Sequence, residues 1–307
     1  MKNYNGVMVI GCDHGYGNMK TANTLFPSSV TAYKEKPVFG GDVLQYAGTY
    51  YKIGEGHKEF ISNKTADEDY YILTLAGVAK ELAVYGICTA KVYLAAGLPL
   101  AWVKSQRKSF SEYLLCREHI EFTLNDTLYR IQFTGCRVFP QGYSALYEHI
   151  SECKGSNLLA DIGNGTMNIL YINNGKVSEA KAWTEKLGMN QCVIAVRNAV
   201  LAQLEVKIDD QTIEDVLRGS EGNLDLRYLK CIWAEARRYV MNIFEALRRY
   251  EYTPATTHLW IVGGGGCLIR NFGEYDADRV TIIEDICAAA KGYEHLAVLA
   301  FRMAGER

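Results

Sequence analysis

Two glycine-rich segments of the sequence carry residue types that could bind the phosphates of a ligand. They share the pattern Asp-x-Gly-x-Gly, lie 148 residues apart and are identical at four of eight positions. The segments are Asp13-His14-Gly15-Tyr16-Gly17-Asn18-Met19-Lys20 and Asp161-Ile162-Gly163-Asn164-Gly165-Thr166-Met167-Asn168. Glycine at alternate positions lets backbone N–H groups converge without obstruction by side chains. Each segment is therefore predicted to form a turn that binds an anion.

Each segment begins with an aspartate, Asp13 or Asp161, at the end of a predicted buried strand. If the two turns face each other across a cleft, both carboxylates lie beside a polyphosphate and need a cation. Mg²⁺ suits two carboxylates and a phosphate, and it is usually held partly through water. Asp13 and Asp161 are thus the predicted metal ligands. A single Asp-x-Gly turn indicates only a strand end, but its repetition in the same context favours a phosphate site.

A run of four glycines, Gly263–Gly266, follows another predicted buried strand and could form a third backbone nest. Where a strand meets a helix, such a nest suits the phosphate or ribose end of a nucleotide. The sequence contains no G-x-x-x-x-G-K-[ST] loop and no G-x-G-x-x-G that opens a helix after a strand. It also lacks an H-E-x-x-H pair and a G-x-S-x-G elbow, so metal hydrolases and serine hydrolases are excluded.

Hydrophobic patterning predicts the elements that position these turns. In the first half, strands are expected at 7–12, 19–26, 91–98, 120–124, 128–133 and 138–140, with helices at 66–85, 104–118 and 142–150. Thr65 and Glu68 form a capping box for the first helix. In the second half, strands are expected at 157–160, 167–172 and 259–262, with helices at 189–204, 212–218, 224–249 and 285–303. Residues 151–157 are small and polar, so a domain boundary is placed there.

The composition excludes several classes of protein. The chain has 307 residues, 33 Lys+Arg against 35 Asp+Glu and a formal net charge of −2. A neutral surface argues against direct nucleic-acid binding, which needs clustered Lys and Arg. No apolar run reaches about 18 residues, so no membrane partner is expected. Nine scattered cysteines without a C-x-x-C pair are typical of a reduced cytoplasmic protein. A chain above about 250 residues tends to form two lobes with a cleft.

The order of these motifs resembles the actin-like ATPase superfamily. That order is Asp13-x-Gly15-x-Gly17-x-x-Lys20, then Gln141, then Asp161-x-Gly163-x-Gly165-Thr166, then Gly263–Gly266. Three further segments look like the bacterial plasmid-segregation actins, the ParM group: Phe139-Pro140-Gln141-Gly142-Tyr143-Ser144-Ala145, Leu187-Gly188-Met189-Asn190-Gln191 and Ala289-Ala290-Lys291-Gly292-Tyr293. The resemblance implies an α/β protein with the actin-like (duplicated ribonuclease-H-like) two-domain ATPase fold. Domain I would span 1–153, with a small subdomain at about 27–86 and helix 285–303 packed back on it, and domain II would span 154–284.

The resemblance also implies roles for individual residues. The nucleotide-binding residues would be Asp13, Gly15, Tyr16, Gly17, Asn18, Lys20, Asp161, Gly163, Asn164, Gly165, Thr166, Gly263, Gly264, Gly265 and Gly266. The catalytic residues would be Gln141, Asp161 and Asp13, with Gln141 orienting the attacking water. Because a glutamine cannot accept a proton at neutral pH, its role would be geometric and hydrolysis would be slow.

Some of these assignments have alternatives. Lys20 would reach the β- and γ-phosphates, although the pattern also allows the less favoured alternative of a solvated lysine at a strand end. Gln141 could instead cap the helix predicted to begin at Gly142. Asn164 stands where actin carries an Asp, which keeps hydrogen bonding and removes one charge. The base-contacting residues are not placed, although helix 212–218 is the nearest candidate by order, so ATP and GTP are both open.

The leading functional hypothesis is a filament-forming actin-like ATPase. ATP and Mg²⁺ would bind in the cleft between the domains, and hydrolysis would destabilise the filament. The resemblance implies a role in plasmid DNA segregation, with an adaptor protein bound to centromere-like DNA. The alternative is a small-molecule kinase of the same superfamily, which usually needs an Asp as base, and Gln141 would be a poor base. A chaperone-like module is a third option, disfavoured because 307 residues leave little room for a further domain.

Overall fold

The computed structural model describes residues 1–38, 40–55, 64–65 and 68–305. The chain divides into two compact units. The first unit comprises Met1–Glu148 together with the C-terminal segment that begins at Cys287, and the second comprises His149–Ile286. The second unit is therefore inserted into the chain of the first.

A mixed sheet forms the centre of the first unit. Within the described residues its strands are β1 (Lys2–Tyr4), β2 (Val7–His14), β3 (Asn18–Lys20), β4 (Leu25–Pro27), β5 (Val30–Tyr33), β6 (Asp42–Tyr46), β7 (Thr49–Ile53), β8 (Thr89–Leu98), β9 (His119–Leu124) and β10 (Thr127–Pro140). Their order is β4-β3-β2-β8-β10-β9-β6-β7-β5, and β1 also pairs with β2. The pairs β2–β8 and β8–β10 are parallel, whereas the others are antiparallel.

Helices cover both faces of the central strands. The helices are α1 (Asp69–Ala83), α2 (Leu100–Leu114) and α7 (Ala288–Gly305). Ile10 and Leu94 lie in the apolar cluster that includes residues of α1 and α2. The alternate residues Val9 and Ala95 point the other way, into the cluster that α7 completes. A strand that is buried on both faces appears in the sequence as a continuous apolar run. For this reason β2 and β8 could both be predicted from the sequence.

A close helix-to-strand contact locks α7 onto the first unit. A Cβ at Gly11 would lie 2.0 Å from the Ala290 carbonyl oxygen, and one at Gly292 would lie 1.8 Å from the Ser144 carbonyl oxygen. Both distances are far below van der Waals contact, so only glycine fits at these two positions. The last helix of the chain thereby becomes part of the core built by its beginning.

The second unit is a five-stranded sheet with helices packed on it. Its strands are β11 (Ser156–Ile162), β12 (Met167–Asn173), β13 (Lys176–Glu185), β14 (His258–Val262) and β15 (Val280–Ile282), in the order β13-β12-β11-β14-β15. Its helices are α3 (Met189–Leu204), α4 (Asp210–Leu217), α5 (Leu226–Arg249) and α6 (Gly266–Phe272). The predicted apolar stripe of α5 lies in the core, for example at Ile232 and Ile243.

Several predicted elements differ from the structure. The predicted strand 19–26 is two strands, β3 and β4, because Thr21 N–H donates to the Thr24 carbonyl and the two hydroxyls lie 2.6 Å apart in a turn. The predicted helix 104–118 begins earlier, at Leu100, since Pro99 ends β8 and has the φ of −48° that suits a helix start. It also ends earlier, at Leu114.

The predicted strand 138–140 is the end of the long strand β10 rather than a separate element. No α-helix covers 142–150, where short 3₁₀ turns occupy Tyr143–Leu146 and Ile150–Glu152. The start of the predicted helix 66–85 falls on Ala66 and Asp67, outside the described residues, and the described helix begins at Asp69 with Glu68 as its N-cap. The elements β1, α6 and β15 were not predicted, whereas helix 189–204 is confirmed at both ends.

Among the residues that the structure describes, no helix combines the length and apolarity needed to cross a membrane.

Candidate functional site

The first turn (residues 15–17) connects β2 to β3 in an antiparallel hairpin. Asp13 pairs with Lys20 in the ladder, and His14 pairs with Met19. The buried Ser28 stabilises the turn with two hydrogen bonds. Its N–H donates to the Gly17 carbonyl at 3.0 Å, and its hydroxyl donates to the Gly15 carbonyl at 2.7 Å. A Cβ at Gly15 would lie 2.6 Å from the Asn18 carbonyl oxygen. The tight turn therefore requires glycine at this position.

The Asp13 carboxylate is buried, and both of its oxygens accept hydrogen bonds. Lys20 Nζ donates to Oδ2 at 2.8 Å, and Gln141 Nε2 donates to Oδ1 at 3.1 Å. Burial alone would raise the pKa of Asp13, but the charge and hydrogen bond of Lys20 hold this pKa below its ordinary value. Lys20 is therefore a partner of the site carboxylate rather than a solvated lysine at a strand end.

Gln141 is presented by a strained backbone turn at the end of β10. Its N–H donates to the Leu98 carbonyl at 2.8 Å, and its carbonyl accepts from the Tyr143 N–H at 2.9 Å. The residue between, Gly142, has φ 75° and ψ −66°, the geometry of the rare γ-turn. No side chain caps the 3₁₀ turn that follows. The alternative role of Gln141 as a helix cap is thus not observed, because its amide is directed to Asp13.

The second turn (residues 163–166) has the same register as the first. Asp161 pairs with Asn168 across β11 and β12, as Asp13 pairs with Lys20. The N–H of Gly163 donates to the Thr166 carbonyl at 2.9 Å and closes the turn. Asp161 itself is half-buried. The two segments that share the pattern Asp-x-Gly-x-Gly therefore also share the same strand pairing.

The start of α3 supports the second turn. The first helical N–H groups are directed at it: Met189 N–H donates to the Gly163 carbonyl at 3.0 Å, and Asn190 N–H donates to the Asn164 carbonyl at 2.8 Å. The N-cap residue Gly188 packs so closely that a Cβ there would lie 2.4 Å from the Asn164 carbonyl oxygen. The carbonyl groups of the turn thus accept hydrogen bonds from N–H groups at the start of α3, which have no partner within the helix.

The glycine run (Gly263–Gly266) packs on the end of β11. Gly263 has φ +87°, and a Cβ there would lie 2.6 Å from Asp161 Oδ1. Gly265 N–H donates to the Ile162 carbonyl at 2.9 Å. A cavity of about 180 Å³ lies beside the run. Its lining includes Arg218 at the end of α4; contact of this helix with a nucleotide base stays a prediction.

Each unit brings its own set of predicted site residues together. In the first unit these are Asp13, Gly15, Tyr16, Gly17, Asn18, Lys20 and Gln141. In the second they are Asp161, Gly163, Asn164, Gly165, Thr166 and the glycine run. Within the described part of the chain, no group of three or more His, Cys, Asp or Glu side chains is arranged to hold a metal ion.

Sequence reasoning missed four residues that shape these sites: Ser28, Lys64, Gly188 and Arg218. Ser28 and Lys64 contact the first turn from distant parts of the chain, so no local pattern could reveal them. Gly188 did offer a signal, because a glycine directly before a predicted helix indicates either an N-cap or a close backbone approach.

Comparison with known proteins agrees with this geometry. Residues 11–143 match the family described as "Actin like proteins N terminal domain". The matched segment begins two residues before Asp13 and ends two residues after Gln141. No protein of curated function matches the sequence.

Solved structures extend the likeness to nearly the whole chain. The apo pSK41 ParM protein has a TM-score of 0.74 and 14% identity, covering 97% of this chain and 99% of its own. The archaeal actin homolog Ta0583, in complex with ADP, gives 0.72 and 21%, covering 95% and 100%. The Alp12 filament structure gives 0.70 and 14%, covering 97% and 100%. The chain therefore has the actin-like fold, as expected.

Proposed function

We propose that this chain is a filament-forming ATPase whose two turns bind the phosphates of ATP with Mg²⁺. Its filament would act in plasmid DNA segregation. The observation that carries the proposal is the buried Asp13 carboxylate, held between Lys20 and Gln141 beside a glycine turn. An ionised carboxylate in contact with a lysine and with an amide that could orient water is a combination that suits phosphoryl transfer to water.

The glycine turns would supply most of the phosphate binding. Backbone N–H groups of each turn would donate to phosphate oxygens, since the glycines place no side chain in the way. Lys20 lies in the same hairpin, and its ammonium, 2.8 Å from Asp13, is a compact positive charge at the turn. On nucleotide binding this ammonium would be shared between the carboxylate and a phosphate oxygen.

Gln141 would position the attacking water. Its Nε2 is held by Asp13, which fixes the plane of the amide and leaves the amide oxygen to accept a hydrogen bond from water. A neutral amide cannot take the proton that the water loses. Hydrolysis is therefore expected to be slow, which suits a polymer that must persist before its subunits turn over.

The residues present fit a Mg²⁺ ion held through water. The low pKa keeps Asp13 ionised, but its two oxygens already accept hydrogen bonds from Lys20 and Gln141. A direct metal bond would have to displace one of them, whereas a metal-bound water can donate to a remaining lone pair. Asp13 and Asp161 would hold the hydrated ion. When bound, the ion would neutralise charge on the phosphates.

Two of the similar structures support the proposal, one through its bound nucleotide and the other through its filament. The structure of Ta0583 contains ADP, and that of Alp12 is a filament. Transferred to this chain, these properties favour an adenine nucleotide over GTP and a filament of like subunits. The formal net charge of −2 agrees with indirect contact with DNA, through an adaptor protein bound to centromere-like DNA.

Sedimentation tests the filament and the nucleotide together. The protein at tens of micromolar is centrifuged with Mg-ATP, Mg-ADP or no nucleotide, and phosphate release is followed in parallel. We expect a pellet with Mg-ATP that decreases as ATP is consumed. Electron microscopy of the pellet distinguishes filaments from aggregates. Protein that stays monomeric with Mg-ATP would overturn the filament proposal, and absence of phosphate release would overturn the ATPase.

The segregation role has its own test. A gel-shift assay with the chain alone should show no DNA binding at physiological salt, because the chain is expected to contact DNA only through an adaptor. Tight binding of the isolated chain to DNA would contradict an adaptor-mediated mechanism.

A further inference from the structure

Two surfaces of the second unit carry an excess of opposite charge. Between residues 205 and 225, which we call the acidic segment, seven side chains are acidic and two are basic. The helix that follows, α5, carries six basic side chains and two acidic ones. Arg237, Met241 and Arg248 are exposed and share one side of this helix. We call this side of α5 the basic face.

Ion pairs inside the unit neutralise only some of these charges. The pairs join Asp210 to Arg197, Asp225 to Arg227 and Glu235 to Arg238. Among the residues that the structure describes, four exposed charged side chains have no ion-pair partner: Glu205 and Glu221 on the acidic segment, and Arg237 and Arg248 on the basic face. Each surface therefore keeps unpaired charge of its own sign.

The two surfaces lie at different ends of α5. Asp225 is the N-cap of the helix, and Gln203, just before the acidic segment, has its Oε1 3.5 Å from Cys231 Sγ. Both ends of the acidic segment are thus near the N-terminal end of α5. With a rise of about 1.5 Å per residue, Arg237 and Arg248 lie about 18 Å and about 35 Å along the axis from Asp225. Screening acts over about 10 Å at about 0.1 M salt, so the two surfaces do not neutralise each other within one subunit.

The composition of the basic face is that of a contact surface. The helix dipole favours a cation such as Arg248 in the last turn, but Arg237 stands about three turns earlier, where this effect has decayed. Met241, between the two arginines, is 62% exposed. Arginine and methionine are enriched where proteins bind one another. The acidic segment also has exposed apolar side chains beside it, Val206 and Leu226.

We propose that the basic face of one subunit binds the acidic segment of a second copy of this chain. This inference rests on the proposed filament-forming function. Because the two surfaces differ, the contact is head-to-tail, and each subunit keeps one surface of each sign to which a further copy can bind. Like surfaces repel each other, so every subunit adds in the same orientation and the two ends of the filament differ.

Charge reversal on each surface tests the contact. The basic-face variant combines Arg237→Glu with Arg248→Glu, and the acidic-segment variant combines Glu205→Lys with Glu221→Lys. A fourfold variant carries all four substitutions. For each protein we measure the lowest concentration that pellets with Mg-ATP. The Kd for ATP and the thermal midpoint are measured below that concentration, since none of the four residues lies in the proposed phosphate-binding turns.

We expect each double variant alone to need at least about tenfold more protein to pellet, because like charges then face each other. An equal mixture of the two double variants should pellet near the wild-type concentration. In that mixture each reversed surface meets a surface of opposite charge on the other variant. The fourfold variant should recover for the same reason. The Kd for ATP should stay within about twofold of wild type, since all four substitutions are on the surface.

The matched control combines Lys104→Glu with Arg107→Glu, which reverses two exposed cations of α2 in the first unit. It changes the net charge as much as the basic-face variant does and should pellet like wild type. If a reversed variant does not fold, Arg237→Gln with Arg248→Gln and Glu205→Gln with Glu221→Gln replace the double variants, with a loss of about threefold expected.

Two outcomes would overturn the inference while the filament proposal stands. One is wild-type pelleting of both double variants, which would leave the basic face to an acidic partner other than this chain. The other is failure of both the mixture and the fourfold variant to recover. If wild-type protein itself does not pellet, the filament proposal fails and this inference fails with it.

Discussion

Replacing Gly188 with alanine should displace the second turn without any change of charge. Gly188 has φ −91° and ψ 178°, which alanine adopts freely, so the effect is purely steric. The new Cβ would lie 2.4 Å from the Asn164 carbonyl oxygen and 2.5 Å from the Gly165 carbonyl carbon, whereas ordinary contact begins at 3.4 Å. Both neighbours are backbone atoms, so the turn must move by about 1 Å.

The expected magnitudes follow from that displacement. Overpacking of this kind costs about 1–3 kcal/mol. For a protein of this size the thermal midpoint falls by about 2–4 °C per kcal/mol, so a loss of roughly 2–12 °C is expected. If the turn holds phosphate, a displacement of about 1 Å should also lower the turnover of ATP by about 100-fold.

The matched control is Gly165→Ala, in the same turn. No atom lies within 4 Å of a Cβ at Gly165, and its φ is not in the left-handed region. The two variants are compared by thermal unfolding, because Gly165 belongs to the proposed phosphate-binding turn and its substitution can itself change phosphate release. The steric reasoning is refuted if Gly188→Ala has the same thermal midpoint as Gly165→Ala.

Further predictions concern the polar groups of the two turns. Gln141→Ala should leave the Kd for ATP within about threefold and slow phosphate release at least about tenfold; loss of ATP binding would contradict a water-positioning role. Asp161→Ala should lower turnover by about 100-fold, and unchanged turnover would remove Asp161 from the mechanism. Asp13 contributes stability above pH about 4, the ordinary Asp pKa, and loses it as the pH falls through its lower folded-state pKa. Between pH 5 and 3, wild type should therefore lose more free energy of unfolding than Asp13→Asn; equal losses in chemical denaturation would argue against this role.

The strands and turns of the candidate site follow closely from local sequence. The pattern Asp-x-Gly-x-Gly after an apolar run predicts a hairpin, and the structure has the same register at Asp13 and Asp161. The bounds of α3 were also predictable, since Gly188 stands before an apolar helical repeat. Nucleotide binding by these residues stays a prediction, because the geometry alone does not include the ligand.

Other features depend on contacts between residues far apart in the chain. The pattern after Pro140 favours a helix, yet Gly142 has a positive φ because its neighbours bond to β8 and to each other. Lys64 is 50 residues from His14, and a lysine in a polar segment is ordinarily exposed. Local propensity cannot predict either outcome, since the deciding interactions are tertiary.

The packing of α7 onto β2 has a consequence for biosynthesis. Residues 149–286 form a unit that is continuous in sequence, so it can fold as soon as it leaves the ribosome. The first unit needs Ala290 against Gly11 of β2, 279 residues earlier, and Gly292 against Ser144, so its core stays incomplete until α7 is synthesised. During translation, one apolar face of the N-terminal strands therefore stays uncovered until α7 has been synthesised. If the proposed filament forms, a subunit able to join it would exist only after synthesis of α7, so the growing chain could not assemble prematurely.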